Sequence, residues 1–68
     1  MNGDEFIRRV RKLAKKQGYH CDVTTQGKGS HRTHEYGDKR TTVKHGEIGK
    51  GLLSAMMRQL GLRKDDFF

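Results

Sequence analysis

The sequence has one cysteine, few acidic residues and no long apolar run, and each shortage excludes a class of protein. Cys21 alone cannot form an internal disulfide, which fits a reducing compartment. No segment approaches the roughly 20 apolar residues of a membrane-spanning helix. The N-terminal residues also lack the apolar core of a signal peptide. We therefore expect a cytoplasmic protein that does not enter a membrane, with Cys21 acting as a small buried hydrophobe.

The shortage of acidic residues leaves a strong positive charge. Among the 68 residues, 15 are Lys or Arg and 8 are Asp or Glu, which gives a formal net charge of +7. Polyanions such as nucleic acids are the expected partners of a chain with this charge. A charge that only keeps the protein soluble is an equally frequent explanation.

Apolar residues at helical spacing predict two amphipathic helices. The first covers residues 4–17, where Asn2 and Glu5 resemble a capping box and Gly18 ends the helix. The second helix is built on a stripe that ends at Gly61. Its members are Leu52, Leu53, Met56, Met57 and Leu60. A last short turn follows, in which Phe67 and Phe68 either fold back onto the core or fray.

Three strands are predicted between the helices. Residues 19–24 alternate apolar and polar side chains, which points His20 away from the core. Residues 30–36 form a very polar second strand and residues 39–45 a third. The predicted fold is therefore α+β, an α-β-β-β-α domain over residues 1–68 with a three-stranded antiparallel sheet and two helices on one face.

The hairpin turn sets the register of the second and third strands. Gly37 and Asp38 suit a two-residue turn, because glycine tolerates the positive φ of its first central position. This turn places His31 directly opposite Lys44, with their Cβ atoms about 5 Å apart. A three-residue turn would instead place His31 opposite His45.

In the first register, one face of the hairpin is wholly polar and is predicted to be the solvent side of the sheet. It pairs Thr33 with Thr42 and Glu35 with Arg40. The opposite face of the hairpin points toward the helices and carries Arg32, His34, Tyr36 and Val43.

A histidine beside a cation suits the cleavage of RNA. Attack of a ribose 2′-hydroxyl on the adjacent phosphate needs a base, an acid and positive charge on the phosphate oxygens, and histidine can serve as acid or base near neutral pH. Positive charge is available from Lys28, Arg32 and Lys44. The backbone N–H groups of Lys28 and Gly29 can also approach a phosphate closely. On spacing alone, however, a histidine such as His31 is more often only a solvated surface residue.

Other kinds of site fit the sequence less well. His31 and His34 are three residues apart on a strand, so they face opposite sides, and one cysteine cannot complete a zinc site. Gly27 and Gly29 lack the third glycine of a dinucleotide-binding loop. Neither helix belongs to a helix-turn-helix that could read DNA. We therefore expect no metal and no small-molecule cofactor.

Several motifs of the chain resemble those of the HicA toxins of toxin–antitoxin systems. The resemblance runs from the first helix to Leu62. It rests on Lys28-Gly29-Ser30-His31-Arg32, Tyr36-Gly37-Asp38-Lys39-Arg40, Thr41-Thr42-Val43-Lys44-His45-Gly46, Glu47-Ile48-Gly49-Lys50-Gly51-Leu52-Leu53 and Met57-Arg58-Gln59-Leu60-Gly61-Leu62.

This resemblance implies a fold like that of double-stranded-RNA-binding domains, metal-independent cleavage of mRNA and inhibition by a HicB-type antitoxin. It makes His31, the histidine after Gly-Ser, the catalytic residue. His34 is then either a structural substitution or an accessory RNA contact. The candidate RNA contacts are Lys28, Gly29, Ser30, Arg32, Lys44 and His45. The alternative is a non-catalytic RNA-binding module of the same fold.

Overall fold

One antiparallel sheet organises the chain in the computed structural model, which describes residues 1–25, 31–44 and 46–68. Its strands, in chain order and in sheet order, are β1 (Cys21–Thr25), β2 (His31–Tyr36) and β3 (Lys39–Lys44). The helices are α1 (Gly3–Gln17), α2 (Lys50–Leu60) and α3 (Lys64–Phe67). The predicted α-β-β-β-α arrangement of the α+β class is confirmed, and α3 follows it as an additional short helix.

Helix α1 begins one residue earlier than predicted, at Gly3, and its N-cap is Asn2, as predicted. The Asn2 side chain accepts a hydrogen bond from the Glu5 N–H at 2.8 Å. The Glu5 carboxylate does not complete the capping box; it binds the side chains of Arg8 and Arg9 instead. Hydrogen bonds from these two arginines lower the pKa of Glu5 to about 2. Gly18 ends the helix in the left-handed conformation, with φ of 75°.

The core lies between the inner face of the sheet and the helices. Its buried apolar side chains are Phe6, Ile7, Val10, Leu13, Ala14, Tyr36, Val43, Ile48, Met56, Met57, Leu60 and Phe67. Both predicted helical stripes contribute to it, so the two long helices and the sheet bury their apolar faces against each other.

Four apolar residues near the ends of elements refine the prediction. Leu52 is exposed because it lies at the margin of the α2 stripe, and Tyr19 precedes β1 and is also exposed. Phe67 folds back onto Phe6, with ring centroids 5.4 Å apart, whereas Phe68 stays exposed. The C-terminal turn therefore adds one side chain to the core.

The register of β2 and β3 is the one that the two-residue turn predicts. Gly37 has φ of 63°, and His31 is the partner of Lys44. The alternative register, with His31 opposite His45, is wrong for this fold. The inner face carries Arg32, His34, Tyr36 and Val43, as predicted.

His34 is a core residue and not a surface contact. Its side chain is fully buried, its Nε2 lies 3.1 Å from the Sγ of Cys21, and its ring meets the edge of Phe6. Burial, together with the charges of Arg11 and Arg32, lowers the pKa of His34 to about 4. Burial also raises the pKa of the half-buried Cys21 thiol. Both groups are therefore neutral at pH 7.

The first prediction concerns the close contact between α1 and β3 at Gly3. A Cβ at Gly3 would lie 2.1 Å from the carbonyl oxygen of Lys44, so in Gly3→Ala the backbone must move. We expect the free energy of unfolding to fall by about 1–3 kcal/mol, as in other overpacked sites. In the control Gly51→Ala, no atom lies within 4 Å of the added Cβ, and the better helix propensity should add up to about 1 kcal/mol. Urea unfolding measures both changes. A Gly3→Ala protein as stable as the wild type would contradict the close contact at Gly3.

The second prediction concerns the pH dependence of stability that His34 causes. Above pH 6.5 the imidazole is neutral in both the folded and the unfolded chain. As the pH falls from 6.5 to about 4, the unfolded chain binds a proton that the folded chain excludes. The free energy of unfolding should therefore fall over this window, by on the order of 3 kcal/mol.

Urea unfolding at several pH values tests this expectation against His34→Phe, which keeps an aromatic ring but cannot titrate. The variant should lose most of the slope between pH 6.5 and 4, whatever its absolute stability. His34→Leu serves the same purpose if phenylalanine does not fit the core. The same slope in all three proteins would show that His34 is not the responsible group.

Candidate nucleic-acid interface

The outer face of the sheet, which the helices leave uncovered, is polar along all three strands. Side chains alternate between the two faces of a strand, and the inner face takes the apolar members. The outer face consists of Asp22 and Thr24 from β1, His31, Thr33 and Glu35 from β2, and Arg40, Thr42 and Lys44 from β3. The molecule therefore presents a polar surface that is free to meet a polar ligand.

His31 and Lys44 form the end of this face where β2 begins and β3 ends. They are directly opposed partners in the antiparallel ladder, and both side chains are exposed. An imidazole and an ammonium group thus share one open surface. The imidazole can exchange a proton with a bound molecule, and the ammonium can bind an anionic group.

Three threonines cross the sheet in one row next to this pair. Thr33 on β2 is the partner of Thr24 on β1 and of Thr42 on β3. Their hydroxyl groups make no hydrogen bonds to side chains or backbone in the described part of the chain. Each hydroxyl can donate and accept, which suits phosphate and ribose oxygens.

Charges of opposite sign are separated at the far end of the face. Glu35 is the ladder partner of Arg40, but its carboxylate contacts His20, with Nε2 and Oε1 3.1 Å apart. Asp22 lies opposite Glu35 on β1. The cations Arg40 and Lys44 are therefore on the β3 side, and the carboxylates are toward β1.

Arg32 lies on the inner face and not beside His31. Its Nη1 binds the carboxylate of Asp4 at 2.9 Å, and its side chain is only 13% exposed. Its Nε and Nη2 are buried and have no hydrogen-bond partner among the described residues. This ion pair joins the first turn of α1 to the sheet directly behind His31.

The structure thus unites two of the predicted site residues, His31 and Lys44, and separates Arg32 from them. Lys28, Gly29, Ser30 and His45 lie outside the described residues. The contacts of these four residues and of Arg32 with RNA stay predictions.

Two larger clefts lie elsewhere. One of about 500 Å³ is lined by Tyr19, Tyr36 and Leu62 at the hairpin-turn end of the molecule. The other, of about 530 Å³, lies between α1 and α3. Neither cleft is lined by His31 or Lys44. The solvent side of α1 also carries an exposed set of cations, which are Arg8, Arg11, Lys12, Lys15 and Lys16.

In residues 1–25, 31–44 and 46–68, no three His, Cys, Asp or Glu side chains converge as a metal site would require. No helix in these ranges has the length and apolar character needed to cross a membrane.

Sequence reasoning placed the outer-face residues but missed two side-chain contacts. The pairing of His20 with Glu35 joins a residue before β1 to the middle strand, and strand alternation alone gives no signal for it. The pairing of Arg32 with Asp4 joins elements 28 residues apart. The only available signal was an arginine on a face predicted to be inward, which needs an anionic partner.

Comparison with known proteins gives one family. A family model described as the HicA toxin of bacterial toxin–antitoxin matches residues 7–62, which include the whole sheet. No curated protein and no solved structure matches the chain.

Proposed function

Because the chain belongs to the HicA family, the toxins of bacterial toxin–antitoxin pairs, we propose that it is an endoribonuclease that cleaves mRNA with His31. The observation that carries this proposal is the pairing of His31 with Lys44 on an exposed, wholly polar face of the sheet. A net charge of +7 agrees with a polyanionic ligand such as RNA.

The proposed reaction is a transesterification, in which the phosphorus exchanges its bond to the 5′-oxygen of the next nucleotide for a bond to the adjacent 2′-oxygen. A base removes the proton of the 2′-hydroxyl, whose oxygen attacks the adjacent phosphorus. The bond from phosphorus to the 5′-oxygen breaks, and an acid protonates that oxygen. The products are a 2′,3′-cyclic phosphate and a 5′-hydroxyl. Catalysis requires a proton carrier near neutral pH and a cation at the phosphate oxygens.

We assign His31 one of the two proton transfers and Lys44 the stabilisation of charge on the phosphate. The other proton transfer falls to Lys44, His45 or water. Lys28, Gly29 and Ser30, which directly precede His31 in the chain, are proposed to bind the phosphate. The position of Arg32 favours a structural task, in which it holds Asp4 and α1 behind the site.

A HicB-type antitoxin is the proposed inhibitor. Covering the outer face would shield His31 and Lys44 together, because both lie on it. An acidic partner would be attracted to the positive toxin at long range. Binding would also stabilise this small domain by mass action.

The third prediction is that His31→Ala loses cleavage and keeps the fold. Loss of a positioned acid or base typically lowers the rate about 10²- to 10⁴-fold, whereas an exposed substitution changes stability by no more than about 0.5 kcal/mol. Cleavage of a labelled RNA by purified protein measures the rate, and thermal unfolding checks the fold.

The matched control for this variant is His20→Gln, which removes another exposed histidine from the opposite end of the sheet but keeps a hydrogen-bond donor for Glu35. It should cut RNA at the wild-type rate. Wild-type cleavage by a folded His31→Ala protein would refute the assignment. RNA binding without cleavage in the wild type would instead identify a non-catalytic RNA-binding module.

The fourth prediction concerns the products and their metal dependence. Because the proposed proton carrier is a histidine, cleavage should persist in EDTA and leave 2′,3′-cyclic or 3′-phosphate ends with 5′-hydroxyl ends. Mass spectrometry of a cleaved oligonucleotide identifies the ends. Products with 5′-phosphates, or activity restored only by Mg²⁺ after EDTA treatment, would indicate metal-activated water in place of this mechanism.

A further inference from the structure

We propose that Arg40, Thr33 and Thr42 form a second RNA-backbone site, which holds the substrate as an extended single strand along β3. The inference rests on the proposed function, since it extends the site at His31 and Lys44. It assigns the strand's path and the type of RNA that fits it.

Arg40 carries a charge that is unpaired among the described residues. Its side chain is exposed and forms no ion pair with any described residue, because Glu35, its ladder partner, contacts His20. The neighbouring Lys39, by contrast, approaches Asp38 at 3.5 Å. Arg40 therefore has its guanidinium donors available for an external anion, and a guanidinium binds phosphate through two parallel hydrogen bonds.

Arg40 is also continuous with the proposed cleavage site along β3. Arg40, Thr42 and Lys44 are alternate residues of β3 and share the outer face. Arg40 and Lys44 are separated by about 13 Å along the strand, which an extended RNA chain spans with a few nucleotides. A strand held at Lys44 by one phosphate can thus present a later phosphate to Arg40.

The surface beside Arg40 has a shape and chemistry that suit an RNA backbone. Thr33 and Thr42 are directly opposed, and with Arg40 they line one side of an open groove of about 400 Å³ at the edge strand β3. Thr41 and Gln59 line its other side. The hydroxyls of Thr33 and Thr42 suit the ribose and phosphate oxygens that would pass over them. The carboxylates of Asp22 and Glu35 lie toward β1 and would keep a polyanion on the β3 side.

The residue types also define how this site recognises RNA. The described strands place no Phe, Tyr or Trp on the outer face, so bases find no large aromatic ring to stack on between Arg40 and Lys44. Contacts to sugar and phosphate fix the position of the RNA but carry no sequence information. We expect the site to strengthen binding equally for all sequences, while any cleavage preference is set near His31.

The cations of α1 do not offer the same path. Arg8, Lys12 and Lys15 lie on the solvent side of a helix whose other side packs on the inner face of the sheet. A single strand bound at His31 would have to pass around the edge of the sheet to reach them. This geometry favours Arg40 as the next cation for the bound RNA.

The fifth prediction is tested by RNA binding in a His31→Ala background, which prevents cleavage during the measurement. The probe is a labelled oligouridylate of about 12 nucleotides. Its binding is measured by fluorescence anisotropy. Arg40→Ala should weaken binding roughly fivefold, as expected for one exposed ionic contact. It should also flatten the log–log dependence of affinity on salt by about 0.7. Thr42→Val should weaken RNA binding less than Arg40→Ala does.

Two control variants match these changes. Lys39→Ala removes the adjacent charge of β3 from the opposite face, where Lys39 packs near Gly61. Thr24→Val removes a hydroxyl from the same row on the β1 side. Both should bind as the His31→Ala background does. Equal losses in Arg40→Ala and Lys39→Ala would overturn the site, because only net charge would then matter.

Further outcomes separate this inference from the proposed function. If the protein with His31 intact cuts no RNA but Arg40→Ala still weakens oligouridylate binding selectively, the proposed function fails and the RNA site stands. If the protein cuts RNA but Arg40→Ala does not change binding or its salt dependence, the site is wrong and the proposed function stands. Loss of binding only in Lys12→Ala or Lys15→Ala would move the RNA to α1. Equal or tighter binding of an RNA duplex would refute the single-strand path.

Discussion

The two-residue turn at Gly37 and Asp38 decides which side chains of β2 and β3 meet the helices and which meet solvent. The side-chain period of a strand is two, so a slip of one residue would exchange the faces of a whole strand relative to its partner. In the observed register Val43 enters the core, and His31 and Lys44 share the outer face. The core and the proposed site therefore depend on the same backbone pairing.

This register also places polar groups where they are costly to bury. His34 is fully buried, with only the Cys21 thiol as a side-chain partner, and its Nδ1 has no partner among the described residues. The charge of the mostly buried Arg32 is balanced by Asp4, whose own side chain is largely exposed. A buried polar group without a hydrogen bond costs about 1–3 kcal/mol, which is a large fraction of the stability of a small domain. The outer face is thus supported from behind by a core of limited stability.

The accuracy of the sequence predictions follows the range of the interactions involved. Helix α1 and the hairpin depend on local periodicity and on one turn, and both were predicted with only small changes at their ends. Leu52 belongs to the predicted α2 stripe but is exposed, because periodicity gives the direction of a helix face and not how far its margin is covered by other elements. The ion pair of Arg32 with Asp4 needs the three-dimensional path of the chain. The pairing of His31 with Lys44 was predictable because it requires only the turn and the strand period.

The described fold has little interior in which to build a deep active-site pocket. For the proposed action on RNA it would have to use its surface, and the uncovered sheet face offers one. On such a face water is not excluded, so individual electrostatic contacts are weak and sensitive to salt. If RNA binds here as proposed, its binding strength must come from several contacts along one strand. The alternate spacing of Arg40, Thr42 and Lys44 on β3 provides such a series, and the same openness leaves the whole series accessible to one covering partner.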